Sequence, residues 1–119
     1  MTASDRAVEL ARVAAAAAGE KLATEIIAFD VSDQLYITDV FLLCSAGNQP
    51  QVRAVKDAVE EKLLEVGAKP VRREGEREGR WVLLDFSELV VHVQHSEERA
   101  FYALERLWSD CPTISLETA

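Results

Sequence analysis

The chain has 119 residues, 13 of them basic and 21 acidic, for a formal net charge of −8. This length suits a single domain with one real core, and 49% apolar residues with only 5 Gly and 3 Pro exclude a disordered chain. The negative balance opposes phosphate binding, which argues against free nucleic acid and for a basic protein surface as partner.

In chain order, the alanine-rich residues 5 to 18 predict a first helix capped by Thr2 or Ser4 and ended or kinked by Gly19. Val8, Ala11, Ala15 and Ala18 make a shallow stripe, so the expectation for residues 1–19 is a weakly docked, mobile helix. Ile26 to Val31 reads as a strand covered on both faces. After the polar turn Ser32-Asp33-Gln34, Thr38 to Ser45 reads as a second, more buried strand. Ala46-Gly47-Asn48 makes a turn, Pro50 suits a first helical turn, and Val52, Val55, Val59, Leu63 and Val66 recur at helical spacing until Gly67. Lys69 to Glu74 is expected as a charged edge strand.

The segment from Arg80 to Trp108 carries most of the large side chains. Trp81–Phe86 and Leu89–Gln94 are two strand-like runs joined by Ser87-Glu88, although neither joining residue is the glycine or asparagine that tight hairpins favour. Ser96 with Glu97-Glu98 marks the start of a last helix, in which Phe101, Leu104, Leu107 and Trp108 form an apolar face. Residues 109–119 read as a tail. The fold class is therefore α/β or α+β: one domain, a mixed sheet of about five strands and flanking helices. With no run of transmembrane length and no cationic leader, a cytoplasmic location is expected. Cys44 and Cys111 read as structural, Cys44 inside an apolar strand and Cys111 near a frayed end.

Chemistry finds few candidates. Asp39, at the entrance of the second strand, reads most simply as a carboxylate bonding local backbone N–H groups. Asp85, Glu88, His92 and His95 match no established metal-ligand spacing, and a histidine inside Val-Val-His-Val is more often a core or interface residue than a ligand. Residues 46–50 lack the lysine and glycine spacing of a phosphate loop, and no nucleophile elbow occurs. Trp81 opens a strand after a polar loop, where a half-exposed aromatic suits an interface anchor; packing in the core is the other reading, and the one preferred for Trp108.

The ordered set Asp30-Val31, Thr38-Asp39-x-Phe41, Ser45, Gln51-Val52, Glu74-Gly75, Trp81-x-x-x-Asp85, Val91-His92-Val93 and Arg99-x-x-Tyr102-x-Leu104-Glu105-x-Leu107-Trp108 resembles the ribosomal silencing factor (RsfS, Iojap) family. Ala46, Asn48 and Pro50 depart from the usual Gly, Ser and Arg. Phe86-Ser87-Glu88 replaces a common Tyr-Gly-Asp, and Gln94 a usual Phe or Met. The resemblance implies a nucleotidyltransferase-like core without catalysis or cofactor. It implies a translation repressor that binds the large ribosomal subunit through ribosomal protein L-fourteen and blocks small-subunit joining in starvation or stationary phase. On that basis Trp81 is the expected anchor, Asp85 and Glu88 accept partner Lys or Arg, and Asp39, His92, Arg99, Tyr102 and Glu105 complete or orient the surface. Two alternatives stand beside it: a residual nucleotidyltransferase using Asp39 and Asp85 with Mg²⁺, and a module that forms a homodimer through a strand edge or the first helix.

Overall fold

The computed structural model describes residues 3–33, 38–75, 80–96 and 108–116. Their elements run α1 (Asp5–Glu20), β1 (Thr24–Asp30), β2 (Val40–Ala46), α2 (Gln49–Glu65), β3 (Arg72–Glu74), β4 (Trp81–Asp85) and β5 (Leu89–His95). The five strands form one mixed sheet in the order β1-β2-β5-β4-β3. Only the central β2–β5 pair is parallel, with Val40 beside Leu89 and Ala46 beside His95; the remaining pairs are antiparallel. The sheet of about five strands and the charged edge strand are thus as expected, with β3 exposed along its whole length. The helix expected after Ser96 falls mainly on residues 97–107, which lie outside the described residues.

Strand alternation sends one side-chain set to each face. Val40, Leu42, Cys44, Val82, Leu84, Leu89, Val91 and Val93 are buried in one cluster with α1 and α2. Helix α2 contributes Val52, Val55, Val59 and Leu63 to it, the predicted stripe. Its N-cap is Asn48, whose side chain accepts the Gln51 N–H, and Gly67 takes the left-handed conformation just beyond its end (φ 85°).

Helix α1 departs from expectation. It buries Ala7, Leu10, Ala11, Ala14, Ala15, Ala17 and Ala18, a broad docking face against α2 and the sheet. The alanine stripe looks shallow when side-chain size is counted, but small side chains let backbones approach closely, so nearly the whole face is covered. Nor does Gly19 end the helix. Leu22 takes the left-handed position (φ 65°), with its N–H on the Gly19 carbonyl and the Ala23 N–H on the Ala18 carbonyl.

Within the expected tail, residues 112–114 are tied to the sheet. The Asp30 N–H donates to the Pro112 carbonyl (2.8 Å) and the Ile114 N–H to the Ala28 carbonyl (2.9 Å), so residues 112–114 line the outer edge of β1. Cys111 is buried under this strap, not frayed. Burial pushes its thiol pKa up, and the carboxylates of Asp110, Asp30 and Asp33 add to the effect.

Candidate functional site

The second face of the sheet carries the candidate residues. Cross-strand register arranges it in rows: Phe29, Phe41, Val90, Asp85 and Arg72 in one, and Leu43, His92 and Leu83 in the next. A third row places Ser45, Gln94 and Trp81 side by side. Phe29, Val31, Phe41, Leu43, Val90 and Cys111 form the apolar cluster here, with Leu83 and Trp108 packed against it.

Aromatic rings run across this face. The Trp81 indole meets the His92 ring edge-on at 5.6 Å, His92 meets Phe41 edge-on at 6.1 Å, and Phe41 lies 5.7 Å from Trp108. Trp81 is half-buried. Trp108 packs on Phe41, the core role expected of it. His92 is 8% exposed, and neither ring nitrogen has a hydrogen-bond partner among the described residues. Burial alone lowers its pKa to about 4, so the ring is neutral at pH 7. Gln94 is 1% exposed with its side-chain oxygen also unpartnered among those residues.

Asp85 shares the face and row structure of Trp81, at the other end of β4. One carboxylate oxygen accepts the Ser87 N–H (2.8 Å), which explains how Ser87 holds a positive φ of 76° in a turn lacking glycine. The other lies 3.9 Å from the Arg72 guanidinium, a long and exposed contact that adds little. Leu83, not Asp85, pairs with His92.

Asp39 and Glu88 belong to a different constellation. Asp39 accepts the Ser4 N–H (2.9 Å), Glu88 accepts the Ser4 hydroxyl (3.3 Å), and Asp30 accepts the Ala3 N–H (2.9 Å). Asp39 therefore bonds a backbone N–H distant in sequence, not a local one. Together these carboxylates face the positive end of α1 and fix its approach to the sheet. For Asp30, burial raises the carboxyl pKa, but hydrogen bonds from the Ser32 hydroxyl and the Ala3 and Ser32 N–H groups outweigh it and hold it below its ordinary value.

Trp81, Asp85 and His92 thus share one face, whereas Asp39 and Glu88 gather at the α1 N-terminus. Arg99, Tyr102 and Glu105 lie outside the described residues. No group of three or more His, Cys, Asp or Glu residues is placed to hold a metal ion among the described residues. Among them, too, no helix is long and apolar enough to cross a membrane. Surface grooves occur along α2, at Glu61, Leu64 and Lys69, and along α1, at Val8 and Arg12, both away from Trp81.

Residues 4–119 match the family described as "Ribosomal silencing factor during starvation". This chain belongs to the ribosomal silencing factor family. A relative from Halalkalibacterium halodurans named ribosomal silencing factor RsfS is 39% identical over 109 residues, covering 92% of this chain and 93% of its own. The RsfS of Bacillus subtilis is 39% identical over 106 residues, with 89% and 90% covered. A solved structure of a Chromobacterium violaceum protein superposes with a TM-score of 0.82 at 32% identity, covering 85% of this chain and 84% of that one. Relatives of the RsfS family bear the names of regulatory factors, not of enzymes.

One residue of the site escaped the reading of individual side chains. Gly75, met in the sequence only as part of the Glu74-Gly75 match, packs directly on Trp81. Its contact depends on how β3 and β4 are brought together, which no local pattern encodes.

Proposed function

We propose that this RsfS-family chain represses translation in the cytoplasm by binding the large ribosomal subunit through ribosomal protein L-fourteen. Bound there, it blocks the approach of the small subunit by steric exclusion when nutrients fail. The observation that carries this reading is the family match over residues 4–119. Two physical features agree with it. A net charge of −8 speeds encounter with a basic ribosomal protein. Trp81, half-buried and seated on a rigid strand, supplies a large contact at small conformational cost, with Asp85 further along the same face to receive a Lys or Arg.

Gradient co-sedimentation with purified large subunits tests the proposal. The protein is expected to travel with them, and joined ribosomes to fall as it is added before the small subunits. Protein remaining at the top of the gradient at micromolar concentration removes the binding step. Co-sedimentation without any fall in joined ribosomes removes the steric block.

A further inference from the structure

We infer that Gly75 is a positioning residue for the Trp81 anchor, setting the pose in which the indole meets the ribosomal partner; the inference rests on the proposed binding role of Trp81. Gly75 follows β3 directly and has φ 83°, in the left-handed region that side chains with a Cβ adopt reluctantly. Conformational freedom alone does not account for a glycine here. A Cβ at this position would fall on the Trp81 carbonyl oxygen and lie 2.7 Å from Cε3 and 2.9 Å from Cδ2 of its indole. A Cβ at Gly67, also left-handed (φ 85°), would meet nothing closer than 3.7 Å, and that atom is the guanidinium end of Arg6 rather than backbone. The close approach is therefore particular to Gly75.

The indole has two close neighbours of different kinds. His92 meets it edge-on from the centre of the sheet, held by strand β5 in a buried position. Gly75 meets it from the edge strand with bare backbone. Any side chain at position 75 must push the indole or the β4 backbone, because the obstructing atoms include a main-chain carbonyl. A rigid anchor binds more tightly than one that must be ordered on contact, so displacement of the indole is expressed as lost affinity.

The test uses Gly75→Ala and Gly75→Asn in the full chain, with affinity for purified large ribosomal subunits and thermal melting measured in parallel. Asparagine tolerates the left-handed backbone but still carries a Cβ, so it separates backbone strain from collision with Trp81. Both variants are expected to fold and to lose roughly tenfold or more in affinity, approaching Trp81→Ala, the range of an interface hot spot. In a Trp81→Ala background, adding Gly75→Ala is expected to lower affinity no further, the non-additivity of two residues acting as one unit. Native affinity for Gly75→Asn overturns the inference, because strain alone then explains the glycine. Additive losses in the double variant overturn it as well, and so does failure of both variants to fold. Native affinity for Trp81→Ala itself would instead remove the anchor and the binding-face reading on which the inference stands.

Discussion

The two faces of the sheet are built on opposite principles. Toward α1 and α2, the buried cluster is built almost wholly from aliphatic and small side chains, from Leu42 and Leu84 to the alanines of α1, with Phe86 its one aromatic ring among the described residues. The other face mixes aromatic rings with buried polar atoms: both nitrogens of His92, the oxygen of Gln94 and the indole nitrogen of Trp108 lack partners among the described residues. Burying polar atoms without partners lowers stability. The first face is thus optimised for holding the fold, whereas the second keeps groups whose value lies elsewhere. That second face, with Trp81 at its margin, is the one on which the proposed recognition role rests.

Substitutions can break or sharpen this contrast. The largest effect is expected on the inner face: Leu42→Ala removes a fully buried side chain at the sheet centre and should lower unfolding free energy by about 3.5 kcal/mol. Urea denaturation measures it, and the folded fraction should still bind large subunits normally. A loss below about 1 kcal/mol would mean that the inner face is not the stabilising one.

Acid should expose the outer face next. His92 is held neutral in the folded chain with a pKa near 4, while its unfolded value is near 6.5. Between these values the unfolded state binds more protons than the folded one, so stability falls as pH falls from 6.5 to 4, by about 3 kcal/mol in all. Above pH 6.5 the histidine contributes no slope. Denaturation midpoints for the native chain and His92→Phe should diverge in that window; parallel curves would contradict the assignment. The depressed Asp30 carboxyl stabilises the fold above its unfolded pKa and loses that contribution at still lower pH, as it protonates in the folded state, which keeps the two effects apart.

Third comes Trp81→Ala, expected to weaken large-subunit binding by about 2 kcal/mol, measured by sedimentation titration. Because the side chain is half-buried, melting should move less than for Leu42→Ala. The smallest change has the opposite sign. Gln94→Met removes a buried oxygen without a partner among the described residues and should stabilise the chain by about 1 kcal/mol in the same urea assay. A destabilised Gln94→Met would show that the glutamine is satisfied in the folded chain.

What the sequence disclosed follows from the range of each interaction. The β4–β5 hairpin was legible because two strand-like runs stand either side of a join too short for anything but a tight turn. Helix α2 was legible from its period, and β3 from its charges at an edge. Helix α1 was misjudged because alanine area was read without the close approach that alanine permits. Asp39 was assigned local bonds, yet its partner is Ser4, brought near only by the docking of α1. Of the candidate site, Trp81 and His92 stood out as residue types in strand patterns. Their mutual contact, and that of Gly75, exist only once β3, β4 and β5 are side by side.

The strap along β1 sets the order in which a new chain becomes safe from its neighbours. Until residues 112–114 have been synthesised, the outer edge of β1 presents unpaired N–H and carbonyl groups at Ala28 and Asp30, beside the apolar Phe29. Such an edge can recruit a strand from another molecule. A chain stopped after Asp110 would carry that open edge permanently. It should scatter light at concentrations where the chain carrying residues 112–114 stays clear, which would make that short segment a guard against self-aggregation.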